Sequence, residues 1–284
     1  MRFEVEGLSC SYAEKARRGA GRRGGGRSGD GRRKVVEGVS FSASSGDTVS
    51  LVGPNGVGKS TLLRCMLGLL PASAGRATLD GRDVRAIGLR QLWSTVGYVP
   101  QTHRPSLSMS VLETVLLGRS AHIGPFAQPS EHDEQIAREA LEGVGLEAEA
   151  ARPLSTLSGG QQRLVLIAKA LATEPGMLVL DEPESGLDYR NRLIVVDLLE
   201  RLANDRGMIV VTATHYPENA LRVHGKVLLL EGPGRATFGP CDEVLTTEAM
   251  SRAFGADIRV EELDVEGETT KVIVARGVAR RGDA

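Results

Sequence analysis

Nine consecutive residues, Gly53-Pro54-Asn55-Gly56-Val57-Gly58-Lys59-Ser60-Thr61, carry the densest chemistry in the chain. They fit the spacing G-x-x-x-x-G-K-[ST], follow the apolar run Val49 to Val52 and lead into an apolar-periodic segment ending near Leu67. Glycines at 53, 56 and 58 let the backbone curl so that successive N–H groups point inward at phosphate oxygens. Lys59 is placed to reach the β- and γ-phosphates, and the Ser60 hydroxyl to ligate Mg²⁺. A helix opening near Lys59 adds its positive N-terminal end to the same anion site. Strand, loop and helix in this order predict a site for a nucleoside triphosphate.

A triphosphate site that performs chemistry needs carboxylates as well. Met177-Leu178-Val179-Leu180-Asp181-Glu182 supplies two of them at the end of a continuous apolar run. Such a run is the pattern of a strand buried in a parallel sheet, and α/β sheets bind ligands at the C-terminal ends of their strands. Neighbouring strand residues alternate in direction, so different work is expected of the pair. Asp181 is suited to hold Mg²⁺ through its water shell, and Glu182 to orient and polarise the water that attacks the γ-phosphate. Gln101 and His215 also close buried apolar runs, where a side chain can sense the γ-phosphate.

Val35–Phe41, Arg76–Leu79, Val96–Val99, Met177–Leu180 and Met208–Ala213 read as strands, and residues 1–12 as another. Helical spacing marks Val111–Leu116, Ser130–Leu141, with Ser130 and Asp133 as a capping box, Leu164–Leu171 and Leu193–Leu202. Strand–helix alternation predicts an α/β fold with a mainly parallel sheet between helices. Beyond Gly239 the pattern predicts a short helix and two strands, Ile258–Val265 and Thr270–Ala275.

With 284 residues the chain can bury a full core. Its three cysteines, Cys10, Cys65 and Cys241, are odd in number and scattered, which suggests neither a disulfide framework nor a zinc site. No apolar stretch approaches a membrane span and no signal segment is visible, so a membrane role is expected to come through a partner. Residues 13–34 differ from the rest. Nine basic against two acidic residues give a local +7, leaving −8 for the remainder of a chain whose formal net charge is −1. Rich in glycine and without an apolar pattern, this insertion is expected to be disordered.

Gly53–Thr61, Gln101, Leu157–Arg163, Met177–Glu182, Ser185-Gly186-Leu187-Asp188 and His215 together resemble the ordered motif set of ATP-binding cassette (ABC) ATPases: Walker A, Q-loop, signature, Walker B, D-loop and H-loop. Tyr12 resembles the aromatic residue that stacks on adenine, and the basic insertion follows it directly. The resemblance implies a P-loop NTPase fold with a mainly parallel core sheet, an antiparallel β subdomain and a helical subdomain inserted over about 102–170. It assigns 1–245 to the nucleotide-binding domain and 246–284 to a C-terminal helix and β tail. It further implies that ATP and Mg²⁺ are bound, with Ser60, Gln101 and Asp181 toward the metal. Two copies would pair head to tail, so that Ser158, Gly159 and Gly160 of one close on the γ-phosphate held by the other. Lys59, Gln101, Glu182 and His215 would be the catalytic set.

Finer features resemble the ATPases of iron-siderophore, haem and cobalamin importers: Gln101-Thr102-His103, Val111–Arg119, Ala121–Phe126 and Ala253-Phe254-Gly255. The implied partners are integral membrane permease subunits and, indirectly, an extracytoplasmic substrate-binding protein, with the chain on the cytoplasmic face of the membrane. Importers of other metals or of oxyanions share these features. A soluble cassette acting on nucleic acid or in cofactor assembly is the rival class, though no aromatics are interleaved with the basic run to stack bases, and no nucleic-acid partner is expected. Glu184 and Gly186 stand where the family more often has Thr and Ala, a departure expected to retune the dimer contact.

Overall fold

The computed structural model describes residues 1–13, 32–101, 109–124, 127–265 and 267–278. In chain order the elements are β1 (Arg2–Ala13), β2 (Arg32–Ser44), β3 (Thr48–Val52), α1 (Lys59–Met66), β4 (Ala74–Leu79), β5 (Arg82–Asp83), α2 (Leu89–Thr95) and β6 (Val96–Val99). There follow α3 (Val111–Leu116), α4 (Glu131–Gly143), α5 (Gly159–Leu171), β7 (Met177–Asp181), α6 (Tyr189–Arg206), β8 (Ile209–Thr214) and α7 (Pro217–Val223). The chain then forms β9 (Lys226–Gly232), β10 (Arg235–Pro240), α8 (Cys241–Val244), α9 (Thr247–Phe254), β11 (Ala256–Val265) and β12 (Glu268–Val278).

The central sheet has the order β10-β9-β3-β8-β7-β6. All its neighbours from β9 to β6 are parallel, and β10 closes the far edge antiparallel on β9. Strand alternation divides its side chains between two cores. Met177 and Val179 join Leu62 and Met66 of α1 and Phe3 and Phe41 of the second sheet, while Leu178 and Leu180 pack with Ile167 of α5 and Leu199 of α6. Burial on both faces explains why β7 is apolar at successive positions.

The second sheet, β2-β1-β4-β5, is antiparallel throughout. Here the boundaries expected for the basic insertion need correction. β1 continues through Ala13 and β2 begins at Arg32, with Tyr12 opposite Arg33 and Ala13 opposite Arg32. The ladder is made by main-chain groups, and β2 is an edge strand, where charged residues are well tolerated. Residues 14–31, the body of the segment read as disordered, lie outside the described residues.

The helices α3, α4 and α5 form a layer over the Leu178 face of the sheet. Ser130 caps α4 as expected, and Ser110 with Glu113 forms a second capping box at α3. At the other end, Met250 of α9 and Ile258 of β11 share a core with Val52 of β3 and Leu229 of β9. Among the described residues no helix is long and apolar enough to cross a membrane.

Candidate functional site

Four adjacent parallel strands deliver the site. The C-terminal end of β3 leads into the glycine loop, β8 leads into His215, β7 into Asp181 and Glu182, and β6 into Gln101 by way of Pro100. Sheet order, which the sequence does not reveal, thus collects residues spread over more than half the chain at one edge.

The loop is shaped by its surroundings as much as by its own composition. Gly58, at the N-cap of α1, has φ 116°, and a Cβ there would stand 2.7 Å from Cγ atoms of Val35 and Val36. A Cβ on Gly53 would stand 2.6 Å from the Leu230 carbonyl oxygen. No side chain caps α1 and its first turn carries no acid, so the amides there remain available to an anion.

Lys59 is 4% exposed, and its Nζ donates to the carbonyl oxygens of Gly53 at 2.8 Å and Pro54 at 3.2 Å. The same ammonium stands 3.9 Å from Glu182 Oε1. Burial draws its pKa below the ordinary lysine value, against the opposing pull of Glu182, then Asp181, then Glu184. Ser60 Oγ donates to Asp181 Oδ1 at 2.8 Å, while Asp181 Oδ2 is buried without a hydrogen-bond partner among the described residues. Burial raises the Asp181 pKa; the Ser60 bond works against this and the neighbouring Glu182 adds to it.

Glu182 is the hub. Gln101 Nε2 donates to its Oε2 at 2.8 Å, and His215 Nδ1 faces the same oxygen at 3.5 Å without hydrogen-bonding it. The backbone departs from the strand at this residue: Glu182 has φ 49°, a conformation that costs a non-glycine residue energy, while its amide still bonds the Ala213 carbonyl at 2.9 Å. Two consecutive carboxylates therefore serve one site with different partners, Asp181 toward Ser60 and Glu182 toward Lys59, Gln101 and His215.

Ser158, Gly159 and Gly160 stand apart from this group. Ser158 is the N-cap of α5, its Oγ accepting the Gln161 amide at 3.2 Å while Gln161 Oε1 accepts the Ser158 amide at 3.1 Å. Gly159 faces Gln101 and Ser185 across a cleft of about 170 Å³. Tyr12 lies on β1, and its side chain is outside the described residues, as are Thr102, His103, Pro125 and Phe126.

Two buried charges were missed as such in the sequence. Arg163 sits among the apolar residues of α5, where a lone arginine between Gln162 and Leu164-Val165 is itself a signal. Glu184, whose identity departs from the family pattern, faces inward within the chain: it is 3% exposed and accepts a hydrogen bond from the Thr214 hydroxyl. Burial raises its pKa, with the Thr214 bond opposing.

A glycine loop before an α-helix and a carboxylate pair at a neighbouring strand end define a P-loop nucleoside triphosphatase. A family model described as ABC transporter matches residues 36–185. The molybdate import ATP-binding protein of Haemophilus influenzae is 38% identical over 76% of this chain and 80% of its own length. The iron(3+)-hydroxamate import ATP-binding protein of Bacillus subtilis is 32% identical over 80% of this chain and 85% of its own. Among solved structures, a metal-chelate-type ABC transporter in an inward-facing conformation superposes with TM-score 0.81 at 32% identity, covering 96% of this chain and 97% of that one. A dimeric ATP-binding cassette bound to ADP and phosphate gives 0.68 at 27% identity over 83% of this chain and 97% of its own. The chain belongs to the ABC transporter family, and it is an ATPase.

Proposed function

We propose that this chain is the ATP-hydrolysing subunit of an importer, working as a head-to-tail homodimer on the cytoplasmic face of the membrane beneath two permease subunits. The observation that carries the reading is Glu182, whose Oε2 accepts Gln101 while facing His215 and whose Oε1 faces Lys59. A water on the Glu182 carboxylate is aimed at the γ-phosphorus; as its oxygen bonds phosphorus, the bond to the β–γ bridging oxygen breaks and its proton passes to Glu182. Lys59, the loop amides of Gly53, Asn55, Gly56 and Gly58, with Pro54 shaping the turn but donating nothing, and the hydroxyls of Ser60 and Thr61 hold the phosphates. His215 steadies the γ-phosphate, Tyr12 stacks on adenine, and Ser158, Gly159 and Gly160 close on the nucleotide of the partner copy.

The residues present fit Mg²⁺, since Ser60 Oγ and a buried Asp181 oxygen without a partner converge there and Gln101 keeps its amide oxygen free of Glu182. When bound, the ion would neutralise charge developing on the phosphates. Glu182→Gln keeps the shape and removes the proton acceptor. Turnover is expected to fall by about 10²–10⁴-fold with ATP binding retained; a variant that hydrolyses ATP at the parent rate would end the assignment.

A cavity of about 390 Å³ between β6 and the helical layer, lined by Leu69, Trp93, Tyr98, Leu117, Leu166 and Lys169, supports this face as the seat proposed for the permease. It runs directly along Val99 and Pro100, the approach to Gln101. The likeness over 96% of the chain to an ABC transporter of metal-chelate type supports a permease segment as its occupant. For the substrate, a metal complex of the iron-siderophore, haem or cobalamin kind is proposed. A second reading, a molybdate-like oxyanion, is favoured by the 38% identity to the molybdate relative against 32% for the iron-hydroxamate one. Uptake of labelled molybdate against labelled iron–siderophore, in cells expressing the chain with its permease, separates the two.

A further inference from the structure

Arg163 lies one helical turn and a half beyond Ser158 on α5, and it is 8% exposed. Every N–H of its guanidinium is taken by a main-chain carbonyl. Nη1 donates to Pro100 O at 2.7 Å and Gln101 O at 3.2 Å, Nη2 to Asp181 O at 2.7 Å and Glu182 O at 2.8 Å, and Nε to Pro183 O at 3.2 Å. An arginine has five such donors in a rigid planar fork, so its capacity is used up. Its charge is compensated at a distance, by Glu184 foremost and then Asp181 and Glu182, against the burial that disfavours it.

The identity of the five acceptors matters more than their number. They belong to the two strand-end loops whose side chains meet at Glu182, the 100–101 loop carrying Gln101 and the 181–183 loop carrying Asp181 and Glu182. The donor belongs to the helix whose N-terminus is Ser158-Gly159-Gly160. We infer that Arg163 is a positioning residue that couples the two nucleotide sites of the dimer: it ties the helix that closes on the partner's ATP to the loops that align this chain's own Glu182 and Gln101. The inference rests on the head-to-tail reading above. A displacement of α5 on closing over the partner's nucleotide carries the fork with it, and both loops must follow or lose their hydrogen bonds. Lysine cannot replace this link, because three donors on a single atom do not span two loops.

The test compares the full-length parent with Arg163→Lys, reading ATP hydrolysis across an ATP titration, and reads ATP affinity separately in the Glu182→Gln background. Affinity is expected to stay within about twofold, kcat to fall roughly ten- to a hundredfold and the Hill coefficient to drop from above one toward one. A purely structural arginine would instead lower affinity and thermal stability together with kcat; that result, or an unchanged kcat and Hill coefficient, overturns the inference. Should Arg163→Lys fail to fold, hydrogen exchange on the Glu182→Gln protein decides: residues 158–163, 100–101 and 181–183 are expected to gain protection at one common ATP concentration, and separate midpoints overturn the coupling. ATP-driven dimerisation of Glu182→Gln, followed by light scattering, checks the pairing itself. Its absence overturns both readings, whereas a dimer with an unchanged Hill coefficient in Arg163→Lys overturns only the coupling.

Discussion

Glu184 sits two residues beyond the hub glutamate, buried against the end of β8. Its carboxylate accepts the hydroxyl of Thr214, and Thr214 Oγ1 in turn accepts the Tyr216 amide at 2.9 Å, so His215 is held between two tethered residues. Burial raises the Glu184 pKa; the Thr214 bond, its own backbone amide and His215 oppose this, and Glu182 adds to it. The sign follows directly. The folded state holds the proton more tightly than the unfolded state, so stability is fully present below the ordinary glutamate pKa and declines as pH rises through the raised one. Glu184→Gln preserves an acceptor for Thr214 and cannot ionise. Its urea midpoint is expected to exceed the parent's at pH 8, by the equivalent of about 1 kcal/mol for each unit of raised pKa, and to match it near pH 4. A parent and variant with parallel stability–pH curves would mean that folding leaves the proton affinity of Glu184 unchanged.

At the scale of elements, short-range chemistry was the legible part. The Ser130–Asp133 capping box was readable because its residues are three apart, and the structure contains it, with Ser130 Oγ accepting the Asp133 amide at 3.3 Å and donating to Asp133 Oδ2 at 2.6 Å. Asp133 does more than cap, since it also binds the buried Arg119 at 2.9 Å, and Arg119 reaches the Ala172 carbonyl at the end of α5 at 2.9 Å. Ser130→Ala should therefore cost about 1–2 kcal/mol in chemical denaturation, at the upper side of N-cap values, because the lost hydroxyl also steadies the aspartate; a loss no larger than a few tenths would show that Arg119 and the Ser130 main-chain amide suffice to hold Asp133. Longer-range features were harder to read. The start of α5 at Gly159 runs through two glycines of poor helix propensity and depends on the Ser158–Gln161 cap and on tertiary packing. Strands β9 and β10 went unassigned although Val227–Leu230 is a continuous apolar run, and only the pairing of β9 on β3 and of β10 on β9 gives them a place. At the site itself, Lys59 and Ser60 are legible from the glycine-loop spacing, and Asp181, Glu182, Gln101 and His215 from the ends of apolar runs. The left-handed turn at Glu182 and the inward aim of Glu184 were not, because both depend on what the neighbouring strand presents.

For the whole molecule, the sheet arrangement gathers the candidate site residues at the strand ends, and the cavity beside β6 is the seat proposed above for the permease. Lys169 borders this cavity from α5, half-buried, with no ion pair for its ammonium among the described residues, and burial draws its pKa downward. A half-buried lysine beside Trp93, Tyr98 and Leu117 offers a permease segment an apolar seat with one point of positive charge. The expected complement is an amphipathic segment presenting an acidic or carbonyl group to Lys169. Lys169→Glu reverses that point while lying outside the group of residues around Glu182. The isolated variant is expected to bind ATP and to dimerise with it as the parent does. In detergent extracts of membranes, its recovery with the permease should fall by roughly thirtyfold or more, the effect of truncating one partner of a buried charge contact. Lys169→Arg, which keeps the charge, should retain most of the assembly. If Lys169→Glu assembles and transports normally, the permease docks elsewhere on the cassette; if it loses ATP binding together with assembly, the cavity serves the fold rather than the partner.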